Sequence, residues 1–219
     1  MKKILIASLF ILIAIYMTFN YPLNDHKISQ IITVGEMKHI DEKNLSKKLN
    51  ELIGKKIYDI ELRYLKKEIE KDPWIKFAQV SIEKPDSLIV KVIEFEPIYI
   101  WNNKFYIDKD GSTITIDKYY IKNILKLNSN ISNQNEMYKV YIQIKNILSR
   151  INLKINRIDQ DLETLKIVTN KYNFYVNFTI FERKLREFVG IYDQFSSKSE
   201  RLKKVKNIDL RYPTGFAVQ

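Results

Sequence analysis

Sixteen consecutive uncharged residues, Ile4 to Phe19, follow Lys2-Lys3 and give way to Asn20-Tyr21-Pro22. A helix rises about 1.5 Å per residue, so the run reaches about 24 Å, close to a hydrocarbon core of about 30 Å once Met1 and the polar-aromatic flank are added. A cleaved signal peptide is the competing reading. Its apolar region is normally shorter, and neither Met17-Thr18-Phe19 nor Asn20-Tyr21-Pro22 supplies a small-x-small cleavage site. We therefore expect residues 1–3 to be a cytoplasmic tail and 4–21 a transmembrane anchor. Positive charge stays inside, which puts the rest of the chain outside the cytoplasmic membrane.

Beyond Pro22 the hydrophobic pattern changes period several times. Ile28, Ile31, Ile32 and Val34 suggest a strand ending at Gly35. Asp41 is placed to cap a helix whose Leu45, Leu49, Leu52 and Ile53 share one face, with Gly54 where it would close. A second helix is expected near Asp59, with Leu62, Leu65 and Ile69 inward. Asp72-Pro73 ends it, because proline disfavours helical geometry in its predecessor. Phe77–Glu83 and Leu88–Phe95 read as strands about a Pro85-Asp86 turn. The order from 26 to 97 is strand-helix-helix-strand-strand.

From residue 98 to 219 the texture is mainly β with two helices. Asn102-Asn103 and Asp108-Lys-Asp-Gly111 are turn signals between short apolar runs. A calcium loop fails at the latter, since with Gly111 at the glycine position the ligands would begin at Tyr106 and end at Asp117. Asn123 to Glu136 is Asn/Ser-rich and reads as a surface loop. Met137, Val140, Tyr141, Ile144, Ile147, Leu148 and Ile151 mark one helix face. Strands are expected over Ile155–Ile158, Leu165–Thr169 and Phe174–Phe178. Phe181, Leu185, Phe188, Val189, Tyr192 and Phe195 mark another helix, with Arg183, Lys184 and Arg186 expected outward. Ile208, Leu210 and Tyr212 alternate with polar residues, Pro213-Thr214-Gly215 turns the chain, and Phe216-Ala217-Val218 returns as a last short strand. The fold class is α+β, closed by a β-hairpin whose outer edge offers unpaired main-chain groups.

Little in the sequence supports catalysis. Cysteine is absent, and only five glycines are present to build a phosphate loop or dinucleotide fingerprint. His26 and His39 lack acidic neighbours at metal-ligand spacing and read as loop or surface residues. Glu94 and Glu96 share a strand face but read as an exposed charged rim. Asp159, Asp161 and Glu163 read as a solvated turn. No cofactor, metal or small-molecule substrate is expected. The net charge of +11 should attract acidic proteins, anionic lipid or nucleic acid, yet the Lys-rich composition spreads charge over every exposed face and no basic stripe interleaved with aromatics points to nucleic acid.

Val34-Gly35, Asp72-Pro73-Trp74-Ile75, Val80, Lys84-Pro85 and Leu88-Ile-Val-Lys-Val-Ile-Glu-Phe-Glu-Pro97 together resemble a POTRA domain (polypeptide-transport-associated). More narrowly they are similar to that of the FtsQ family of bacterial cell-division proteins, called DivIB in Gram-positive bacteria. Asp209-Leu-Arg-Tyr-Pro-Thr-Gly-Phe-Ala-Val218 resembles the C-terminal signature of the same family. The resemblance implies a non-enzymatic, single-pass scaffold of the divisome at the septum, linking early to late division proteins. It further implies that the last strands bind the FtsB–FtsL pair by strand addition, through Asp209, Leu210, Arg211, Tyr212, Gly215 and Phe216. Arg211 has two readings, a local pair with Asp209 or a contact to an acidic partner side chain. Tyr212 is likewise either a half-buried strand residue or a partner contact. The POTRA strand near Val80 offers a second docking edge. Two features depart from many relatives, a tail of about three residues and no tryptophan after Val218. A POTRA-containing accessory of secretion or outer-membrane assembly is the alternative, although no second POTRA unit or run of barrel strands appears.

Overall fold

The computed structural model describes residues 26–115, 121–197 and 205–219, together with Ile11. The expected tail 1–3 and, apart from Ile11, the expected anchor 4–21 lie outside these residues, as does the side chain of Phe195. No described helix is long and apolar enough to cross a membrane. The chain divides into two compact units, one up to Phe95 and one from Glu96.

In the first unit, strand β1 (Gln30–Val34), helix α1 (Glu42–Asn50), helix α2 (Leu62–Ile69), β2 (Ile75–Glu83) and β3 (Ser87–Glu94) follow in order. The sheet order is β1-β3-β2, with β1 parallel and β2 antiparallel to the central β3. Val80 thus lies on an edge strand. Leu45 and Leu49 of α1, Ile69 of α2, Trp74, Leu88 and Val90 are buried. Asp41 caps α1 by accepting the Asn44 amide at 3.1 Å. Gly35 takes a φ of +144°, and a Cβ there would collide with the Val92 carbonyl oxygen, so a side chain cannot enter.

Two expectations fail in this unit. Helix α1 stops at Asn50, four residues before Gly54, and Ile53 is 48% exposed because the chain then turns tightly. Glu94 is buried, not part of a charged rim: its carboxylate accepts the amides of Lys38 and His39 at 2.6 and 2.7 Å and contacts His39 Nδ1 at 2.9 Å. His39 also stacks on Trp74, with ring centroids 4.3 Å apart. The pair fastens the segment between β1 and α1 to the end of β3.

The second unit carries β4 (Pro97–Trp101), β5 (Phe105–Asp108), β6 (Thr113–Thr115), β7 (Leu125–Ser129), α3 (Gln134–Leu148), β8 (Ile155–Asp161), β9 (Thr164–Thr169), β10 (Asn173–Asn177), α4 (Phe181–Ser197), β11 (Asn207–Asp209) and β12 (Ala217–Val218). Among the described residues they form one sheet in the order β12-β11-β10-β9-β8-β7-β4-β5-β6. Asn102 and Asn103 both take left-handed backbone, with φ of 49° and 52°, which turns β4 tightly into β5. Parallel neighbours need a crossover, and the helices supply two: α3 joins β7 to β8, and α4 joins β10 to β11.

Leu127, Ile158, Ile167, Phe174 and Ile208 are register partners across five strands, and all are buried in one core with Met137, Val140, Ile144, Leu185 and Phe188 of the helices. Both helices therefore cover the same face. A capping box starts α3: the Asn133 side chain accepts the Glu136 amide while Glu136 accepts the Asn133 amide.

Three further corrections arise here. The supposed loop at 123–136 contains β7, a strand inside the sheet, with Leu127 buried in spite of the polar composition around it. Asp159 lies within β8 and pairs with Arg157 at 2.9 Å, so only Glu163 of the three acids belongs to the turn. Lys184, expected outward with Arg183 and Arg186, is 1% exposed.

Candidate functional site

The terminal hairpin is built against the end of the large sheet. β11 pairs parallel with β10, through Phe174↔Ile208 and Tyr175↔Asp209, and antiparallel with β12, through Ile208↔Val218 and Asp209↔Ala217. Its first strand ends at Asp209 instead of running to Tyr212. Leu210 is still held, since its amide donates to the Tyr175 carbonyl at 2.7 Å and its side chain is buried.

Asn207 and Gln219 exchange both main-chain hydrogen bonds, at 2.9 Å each. Antiparallel pairs alternate between bonded and non-bonded, so Asp209 and Ala217 form the next bonded pair and Ile208 and Val218 the non-bonded one between. It follows that the N–H and C=O of Val218 point away from β11. Since β12 ends the sheet order among the described residues, those groups face its open edge.

The loop between β11 and β12 presents the expected side chains. Arg211 folds back on Asp209, donating from Nε at 2.9 Å and from Nη2 at 2.6 Å, while its amide donates to the same carboxylate at 3.0 Å. The guanidinium bond holds the Asp209 carboxyl below its usual range and raises Arg211 in return. Two of five guanidinium donors are used, which leaves three for another acceptor. Arg211 also sits 5.9 Å from the Tyr175 ring centre. Tyr212 is 51% exposed. Gly215 takes a φ of +69°, strained for any side chain although the space around it is open. Phe216 packs edge-on to Phe188, with centroids 5.6 Å apart.

Sequence reasoning missed the residue that steadies this loop. Lys184 Nζ donates to the Pro213 carbonyl at 3.0 Å and lies 3.5 Å from Glu187. A lysine at a helix position normally reaches water, and nothing within α4 announces that a loop 29 residues on will cover it. The arrangement is a clamp: Leu210 is held in the core, Phe216 packs against it, Lys184 grips the turn, and Arg211 and Tyr212 are exposed. Among the described residues no group of metal-ligating side chains occurs, and the geometry suits main-chain docking beside a cationic and an aromatic side chain.

Comparison with known proteins bears on both units. The description "POTRA domain, FtsQ-type" matches residues 26–95. A protein of Hahella chejuensis named "Cell division protein FtsQ" is 22% identical over 198 residues, covering 89% of this chain and 70% of that protein. One of the same name from Haemophilus influenzae is 27% identical over 234 aligned positions, covering 96% of this chain and 85% of its own length. Another, from Rickettsia felis, is 33% identical over 92 residues, 41% of this chain and 34% of that protein.

Proposed function

The chain belongs to the FtsQ/DivIB family of bacterial cell-division proteins, and we propose that it is a non-enzymatic, single-pass scaffold of the divisome. In this reading residues 1–3 remain in the cytoplasm and 4–21 cross the cytoplasmic membrane. Residues 26–97 form the POTRA domain and 98–219 the β domain outside it, at the division septum. The β domain captures an FtsB–FtsL pair and so links early to late division proteins. The POTRA edge at Val80 takes a further division protein.

One observation carries the proposal: Val218 turns its amide and carbonyl toward the open edge of a hairpin whose connecting loop exposes Arg211 and Tyr212. A strand from the FtsB-like partner would add to β12, its main chain bonding Val218 and its alternate side chains reading the surface. An acidic side chain on it would meet the three remaining Arg211 donors, with Asp209 holding the fork in place. Arg211→Glu reverses the charge, and Tyr212→Ala removes the exposed ring. Both variants are expected to lose capture of the FtsB-like partner in a pull-down or by calorimetry, with circular dichroism and melting near wild type. Undiminished capture by both would refute the docking site.

A further inference from the structure

Residues 26–28 are clipped to one loop of the POTRA unit. Lys27 bridges Lys56, the Ile28 amide donates to the Lys55 carbonyl at 3.0 Å, Gly54 donates to the Ile28 carbonyl at 2.8 Å, and Ile57 donates to the His26 carbonyl at 2.9 Å. That loop, just after α1, exposes two large apolar side chains, Ile53 at 48% and Tyr58 at 77%, the latter the most exposed large apolar side chain among the described residues. Lys27, Lys55 and Lys56 are exposed around them, and Lys47 and Lys48 end α1 just upstream. The acids nearby are fewer: Glu51 and Asp59 are exposed on the same loop, and Glu68 lies close enough to Lys48 for its carboxyl pKa to be lowered by it.

We propose that this loop docks the POTRA unit on a phospholipid surface carrying anionic headgroups, with Ile53 and Tyr58 entering the interface. The inference rests on the reading of 4–21 as an anchor. Six residues separate Phe19, the end of the apolar run, from His26. Even fully extended, that link spans only about 25 Å, so the clipped loop is tethered within reach of the headgroups. An aromatic ring and an aliphatic side chain ringed by lysines suit that boundary, and cations near an anionic surface are each attracted to it.

The absence of cysteine makes the test direct. Full-length chain is reconstituted in nanodiscs of phosphatidylcholine, with and without phosphatidylglycerol, bearing one fluorophore on a cysteine introduced at Ser29, Asn50, Lys91 or Ile11. Nitroxide on the headgroups should quench the labels at Ser29 and Asn50 severalfold more than that at Lys91, and more so with phosphatidylglycerol. Combining Lys27→Glu, Lys55→Glu and Lys56→Glu, or Ile53→Ser with Tyr58→Ser, should bring all three to one level. A deep nitroxide should quench Ile11. With Ile11 quenched, equal quenching at Ser29, Asn50 and Lys91, or indifference to phosphatidylglycerol, overturns the docking alone. An unquenched Ile11 overturns the anchor and the docking with it.

Discussion

The two faces of the nine-stranded sheet differ by a shift of one residue along each strand. On one side runs Leu127, Ile158, Ile167, Phe174, Ile208 and Val218; on the other runs Asn128, Asp159, Lys166, Tyr175, Asp209 and Ala217. From Leu127 to Ile208 the first row lies in the core with the helices and carries stability. The second carries charge and polarity, with Asn128 donating to Asp159 at 2.7 Å, Lys166 and Arg211 both near the Tyr175 ring, and Arg211 on Asp209. Successive strand residues point to opposite faces, so one set of strands can hold a core and present a recognition surface without either constraining the other. Both rows end at β12, where the main chain itself becomes available.

The sharpest way to break the contrast is to cut the same size of side chain from each face. Phe174 is fully buried and meets Phe188 edge-on at 5.2 Å, so Phe174→Ala should cost about 3–5 kcal/mol, read from urea unfolding. Tyr175→Ala, one residue along on the open face, should cost well under half of that. Equal losses would mean the open face is covered.

Much of this division was legible. Alternation over Leu165–Thr169 and Phe174–Phe178 marks two strands, and the apolar stripes beginning at Met137 and Phe181 mark both helices. The missing parts depend on tertiary neighbours. β7 hid in an Asn/Ser-rich stretch because its polar residues are satisfied by distant partners: the Ser129 amide donates to Asn102, and its hydroxyl to Gln160. Glu94 looked like a rim because the amides it accepts lie more than fifty residues back. Lys184 looked like a solvent charge for the same reason. At the hairpin, alternation continued through Tyr212, yet pairing with β10 stops earlier and the turn swings Tyr212 out. The apolar positions were readable, but the length of the strand was not.

The edge where both rows end can be probed by proline. Ala217 belongs to the bonded pair with Asp209, so Ala217→Pro removes a bond within the hairpin and should destabilise it by about 1–2 kcal/mol. Val218→Pro removes only an outward N–H. It should leave melting nearly unchanged, within about 0.5 kcal/mol, while abolishing capture of the FtsB-like strand. Equal melting losses for the two prolines would show that the Val218 amide is bonded within the hairpin and does not face the open edge.

The smallest effect belongs to the Asp209–Arg211 pair. Its guanidinium partner lowers the Asp209 carboxyl below the usual range in the folded chain. A carboxyl with a depressed folded pKa contributes stability that is fully present above its unfolded value and is lost as pH falls through the folded one. The pair is half open to solvent on the arginine side, so Asp209→Asn should cost less than about 1 kcal/mol. Its effect on docking should be larger than its effect on stability, because Arg211 then loses the carboxylate that orients it. NMR titration of the Asp209 carboxyl should give a midpoint below that of an unpaired aspartate, shifting up in Arg211→Gln. A midpoint unchanged by Arg211→Gln would mean that the fork is not held in solution, and that a partner would have to order Arg211 as it binds.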